Sequence, residues 1–100
     1  MVGSDRRKQP RFSIAGPLIV KTGVGERIDG EAVDVSLVGF RFYSNDLLNI
    51  GEKVSTIVKL PGGTTTPVEG VIRHVTETLP YCYGVAFTEE TVGRLIKESF

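Results

Sequence analysis

The sequence predicts a small all-β domain, an antiparallel barrel or sandwich finished by a helix, on three observations. Five or six short runs alternate apolar with polar residues, and each run is ended by Gly or Pro. The 100 residues are enough for one core but not two. Only the end of the chain changes to helical spacing. A barrel is preferred over a sandwich because closure leaves no strand edge exposed.

The first strand is expected over Phe12–Lys21, with a bend or edge where Gly16-Pro17 interrupts it. Thr22-Gly23-Val24-Gly25-Glu26 reads as a turn, Arg27–Ser36 as the second strand and Gly39–Ser44 as the third. The connection Asn45–Glu52 is expected to be anchored by Leu47, Leu48 and Ile50, with Gly51 in a turn conformation. Lys53–Leu60, Thr65–Val75 and Tyr81–Thr88 complete the strands, with a tight turn at Pro61-Gly62-Gly63. A helix follows over Glu89–Ser99: Thr88 is a good N-cap, Glu89 and Glu90 suit the positive end of the dipole, and Lys97 suits the negative end. Phe87 and Val92 occupy the positions of a hydrophobic staple, and Val92, Leu95, Ile96 and Phe100 form one apolar stripe. That stripe either covers a barrel opening or faces a partner.

One stretch reads as a site. In Glu31–Leu37 the alternation puts Val33, Val35 and Leu37 on one face and Asp34 and Ser36 on the other. Beyond Gly39 the apolar residues are Phe40 and Phe42, so the parity has changed, and a half-buried strand changes parity only with an extra residue or a bend. Gly39 is suited to a positive φ there and to close approach of another molecule. Arg41 then points outward with Asp34 and Ser36, bringing a carboxylate, a hydroxyl, bare backbone and a guanidinium together. The second feature is Asp5-Arg6-Arg7-Lys8-Gln9-Pro10-Arg11, an arm that Pro10 keeps out of a helix. Its cations serve either as a solvated tail or as a grip on phosphate oxygens and flat rings.

Other classes are disfavoured. Lys plus Arg equals Asp plus Glu at 12 each, so no global field draws nucleic acid or an anionic membrane. No apolar run approaches the roughly 18 residues of a membrane span, and the first residues lack the apolar stretch of a secretion signal. A lone Cys82 fits a reducing cytoplasm. His74, read as a surface or rim residue, and Cys82, read as a small core residue, have no metal-binding spacing and no partners for nucleophilic catalysis. An enzyme is not expected, nor a metal or cofactor.

Arg7-Lys8-Gln9-Pro10-Arg11 has the form RxxxR, and Asp34-Val35-Ser36-Leu37-Val38-Gly39 has the form [D/N]xSxxG. In this order, with Gly51-Glu52, Leu60-Pro61 and Tyr83-Gly84-Val85-Ala86-Phe87 before a terminal helix, they resemble the signature of the PilZ domain, the bacterial receptor module for cyclic di-GMP. The resemblance runs from about Arg6 to the end of the chain, leaving residues 1–5 as an expected disordered N-terminus. It implies a six-stranded antiparallel β-barrel with a C-terminal α-helix. It implies that Arg7 and Arg11 grip phosphates and guanine edges, that Asp34 accepts from guanine N–H groups, that Ser36 donates to a phosphate and that Gly39 leaves room for the ligand. Arg41 and Gly84 are second-tier candidates. Arg6, directly before the RxxxR pair, is associated in this family with binding a stacked dimer of the ligand. A downstream protein partner is implied too; relatives without the arginines are interaction modules that bind no nucleotide.

Overall fold

The computed structural model describes residues 11–60 and 62–98. Six antiparallel strands, β1 (Phe12–Thr22), β2 (Arg27–Val35), β3 (Gly39–Ser44), β4 (Lys53–Lys59), β5 (Thr65–Val75) and β6 (Tyr81–Phe87), are followed by one helix, α1 (Glu89–Glu98). The strands close into a barrel in the order β1-β2-β3-β6-β5-β4. The expected elements are therefore present, most with ends within one residue of those read from the alternation. The expectations for residues 1–5, Arg6, Arg7, Pro61 and Phe100 fall outside the described residues.

The core is filled from every strand and from the helix. Val20, Val35, Val54, Val58, Val68 and Ile72 meet in the interior, and Leu95 of α1 is fully buried among them. A column of rings runs through it: Phe87 and Phe40 have centroids 5.8 Å apart, Phe40 and Phe42 5.6 Å, and Phe42 and Tyr83 5.1 Å. Tyr83 also holds the β3–β4 connection, because its hydroxyl donates to the Asp46 carbonyl at 2.6 Å and accepts from the Leu48 N–H at 2.8 Å. Burial pushes the Tyr83 phenol above its ordinary range, so it stays a neutral donor. This tether and Leu48 anchor the connection. Leu47 and Ile50, expected to help, lie 70% and 62% exposed. Gly51 takes the expected turn conformation, with φ +93°.

Helix α1 is capped as its first residues suggest, with the Thr91 N–H donating to Thr88 Oγ1. Its start is stitched to β5, where the Glu69 carbonyl accepts from the Thr88 N–H at 2.9 Å and the Glu69 N–H donates to Thr91 Oγ1 at 3.1 Å. The apolar stripe is narrower than its spacing implies. Leu95 is buried and Val92 half-buried, whereas Ile96 is 58% exposed and Thr91 takes a buried place.

The interrupted first strand is continuous but irregular. Its register against β2 shifts between Ser13 and Gly16, and Gly16 has φ +134°. Against β4 it pairs only at Lys21–Ser55 and Thr22–Val54. Where that ladder ends, the Thr56 hydroxyl donates to the Ile19 carbonyl at 2.7 Å. The barrel is thus closed by a short seam on one side.

Candidate functional site

The change from odd to even parity read between Val35 and Phe40 falls across the turn that joins β2 to β3, and a separate irregularity lies earlier, within β2. Ala32 of β2 pairs with Phe42 of β3 and Asp34 pairs with Arg41, so Val33 is the extra residue of a bulge. Val33 therefore leaves the core face it was expected to share with Val35. A second bulge lies across the wall. Ile72 of β5 pairs with Val85 of β6 and His74 with Gly84, which makes Arg73 the extra residue. Between the bulges runs one continuous row, Ser13–Asp34–Arg41–Gly84–His74, crossing β1, β2, β3, β6 and β5. The register shift in β1 begins at this row as well. Three irregularities meet along one line on the barrel wall, where bulges re-aim side chains and interrupt a regular face.

Asp34 is the electrostatic centre of the row. Arg41 Nε donates to both carboxylate oxygens at 3.1 Å, and Arg41 Nη2 makes a further close bond to Oδ2. Arg11 Nη1 donates to Oδ1 at 2.9 Å. The Asp34 side chain is 10% exposed, while those of Arg11 and Arg41 are 45% and 46% exposed. The carboxylate thus lies on the outer wall beneath two guanidinium groups that still face solvent. The hydrogen bonds from Arg41, aided by the charges of Arg11 and Arg41, outweigh burial and hold the Asp34 carboxyl below its ordinary value of 3.8.

Gly39 and Ser36 shape the turn between β2 and β3. The Gly39 carbonyl accepts from the Ser36 N–H at 2.8 Å and from the Ser36 hydroxyl at 3.4 Å, and the Val38 N–H donates to Ser36 Oγ at 3.2 Å. Ser36 is fully buried, so it does not share the outward face of Asp34 and Arg41 as the alternation implied. Gly39 does not use a positive φ. A Cβ on it would lie 2.0 Å from the Val85 carbonyl oxygen, so glycine is required by the approach of β6. Gly84 differs. A Cβ there would meet only the His74 side chain, at an ordinary 3.4 Å, so barrel crowding does not account for it.

Arg11, Arg41, Gly39 and Gly84 border an open groove of about 510 Å³. Gly39, Gly84, Ala86 and Cys82 form a low floor, while Arg11, Arg41, Arg73 and His74 also line it. Cys82 is half-buried at the groove and lies outside the core, because its neighbour Tyr83 takes the inward position. The structure brings together Arg11, Asp34, Arg41, Gly39 and Gly84 of the expected site. Arg6 and Arg7 lie outside the described residues. Arg73 was missed, and His74 was read only as a rim residue; the sole signal was a polar pair, Arg73-His74, near the end of an otherwise alternating strand.

Among the described residues no helix is long and apolar enough to cross a membrane, and no group of three or more His, Cys, Asp or Glu could hold a metal ion. Comparison with curated proteins gave no match. Among solved structures, the PilZ domain of YcgR from Escherichia coli with c-di-GMP superimposes with a TM-score of 0.67 at 12% identity, covering 92% of this chain and 87% of that one. The inhibitor of motility MotI/DgrA of Bacillus subtilis gives 0.64 at 17% identity, covering 92% of this chain and 50% of that one. A complex of Escherichia coli YcgR with c-di-GMP gives 0.65 at 17% identity, covering 92% and 45%. The chain thus spans about half of the latter two. At these identities the likeness is one of fold alone. Membership rests on the sequence, which matches the PilZ domain model over residues 5–98: the chain belongs to the PilZ domain family.

Proposed function

We propose that the groove between Asp34 and His74 binds cyclic di-GMP, and that the domain is a receptor and adaptor passing its bound state to a protein partner. The observation that carries this reading is the Arg11–Asp34–Arg41 cluster at the lip of a glycine-floored groove. It pairs fixed cations for phosphate with a carboxylate that can accept from the N–H edge of guanine. The Asp34 oxygens already accept from both arginines, so guanine recognition involves an exchange. Arg11 swings from Asp34 to a phosphate or to the Hoogsteen edge of guanine, and the oxygen it leaves takes the guanine donors. Arg41 stays on Asp34 and keeps it ionised.

Arg7 joins Arg11 as the second grip, and Ser36 acts through the shape of the turn that presents Gly39. Arg73 and His74 supply the opposite wall, a cation and a flat ring. A few charge-assisted bonds, each of about 1.5–3 kcal/mol, offset closure of residues 5–11 over the ligand and leave micromolar or tighter binding. That closure is the signal to the partner. Arg6 extends the grip to a second, stacked nucleotide. The reading carries no catalytic step, no metal and no cofactor, and it goes with a cytoplasmic location.

Titration calorimetry of the full chain and of Arg11→Ala with cyclic di-GMP, GMP and a single-stranded oligonucleotide tests it. The expected result is micromolar or tighter binding of cyclic di-GMP alone, with two nucleotides per chain, lost in the variant. No heat with cyclic di-GMP would leave an interaction module that binds no nucleotide. One nucleotide per chain would remove the stacked form. Amide exchange over residues 5–11 is expected to slow on binding, and unchanged exchange there would refute the closure.

A further inference from the structure

We propose that the outer face of β1, β4 and β5 beside α1 docks an acidic amphipathic helix of a partner protein. The face carries an open groove of about 610 Å³ that shares no residue with the nucleotide groove. Ile19 and Ile57 stand at outward positions of β1 and β4, between buried Leu18 and Val20 and between buried Thr56 and Val58, and the Thr56–Ile19 bond holds the two strands together there. Ile19 is 53% exposed and Ile57 63% exposed. Pro67, in register with Ile57 on β5, extends the apolar floor.

The rim is cationic. Lys21, Arg27 and Arg94 line the groove against one carboxylate, Glu69. In a chain whose formal charges cancel, that excess is local to this face. Arg94 is held in place, since its guanidinium donates to the Pro67 carbonyl at 2.7 Å. An aliphatic floor between cations, with Arg94 fixed at one side, is complementary to a helix whose leucine-like stripe is flanked by carboxylates. Nucleic acid would leave the aliphatic floor unused, because no ring lines it to stack on a base. A second copy would set one cationic rim against another. The concave groove suits a rod better than the flat surface of a bilayer.

The test titrates the ¹⁵N-labelled full chain with a synthetic amphipathic helical peptide, its leucine stripe flanked by glutamates. Saturable shifts are expected at Ile19, Lys21, Ile57 and Arg94, weakening as salt is raised. Ile57→Glu is expected to weaken binding at least about tenfold and Lys21→Glu about threefold. Both side chains are exposed, so both variants keep the fold, and unchanged cyclic di-GMP binding by both separates this proposal from the nucleotide reading. The proposal is overturned by an absence of saturable shifts, by equal binding of a peptide with lysines in place of the glutamates, or by shifts confined to the other groove. Tighter binding of phosphatidylglycerol vesicles or single-stranded DNA at the same residues also overturns it, as does self-association without peptide.

Discussion

Two grooves of similar size, about 510 and 610 Å³, open on different faces of one small barrel, and both are lined by arginines. Their floors separate them. Under Arg11 and Arg41 the bare backbone of Gly39 and Gly84 is reached among small and aliphatic side chains, with an ionised carboxylate at the edge. Under Lys21 and Arg94 the floor is aliphatic. The origins differ too. The first groove arises where two bulges flank one row of paired residues, the second where outward isoleucines of two strands lie beside the helix. Cationic rims therefore say little about what binds; on the two proposals, it is the surface beneath them that distinguishes a flat, polar anion from an apolar rod.

The largest effect expected of this contrast is a clean division of function. Arg11→Ala should lower cyclic di-GMP affinity at least about 100-fold, roughly 2.7 kcal/mol, while leaving binding of the acidic peptide within a factor of two. Equal loss at both grooves, measured by calorimetry, would show the division to be wrong.

The two glycines of the first groove sharpen the contrast within it. Gly39→Ala drives a Cβ against the Val85 carbonyl and is expected to cost about 2–3 kcal/mol in urea unfolding. Gly84→Ala meets only ordinary contact and should change stability by less than about 1 kcal/mol, yet weaken nucleotide binding about tenfold by raising the floor. Similar stability losses for the two would refute the distinction.

Acid should act on the first groove through Asp34. The Asp34 carboxyl is depressed in the folded protein, so its contribution to stability is fully present above about pH 4 and is lost as pH falls through the lowered folded value. Asp34→Asn should flatten that part of the pH profile of thermal unfolding. It should lower stability at neutral pH by only about 1 kcal/mol, since both partner arginines are close to half exposed. A wild-type slope retained in the variant would place the titration elsewhere.

The contrast also shows what the alternation of residues conveys. Strand order along the chain, most ends and the helix cap were legible, because Gly, Pro and Thr88 mark them chemically. The bulges at Val33 and Arg73 were not, since a bulge inserts one residue of any type and neither position is Gly. That one invisible residue moved Val33 off the core face, and the other set Arg73 beside His74 at the groove. Ser36 sits where a period of two no longer applies, in a turn that draws its hydroxyl inside. Leu47 and Ile50 show a different limit: in a connection held by the Tyr83 hydroxyl, apolar character alone does not bring a side chain inward.

The irregular start of β1 has a mechanical consequence. Gly16, with its left-handed backbone, stands between the stretch that begins beside Arg11 and the Lys21–Thr22 stretch that completes the barrel. The leading residues of the strand pair with β2, as at Phe12–Val35 and Ser13–Asp34, ahead of the Lys21–Ser55 and Thr22–Val54 pairs with β4. On the proposed reading, a pull on Arg11 reaches the Ser13–Asp34 pair and the register shift before it reaches the Lys21–Thr22 seam, so a ligand's tug is felt at the lip of the groove ahead of the closure that holds the hoop together.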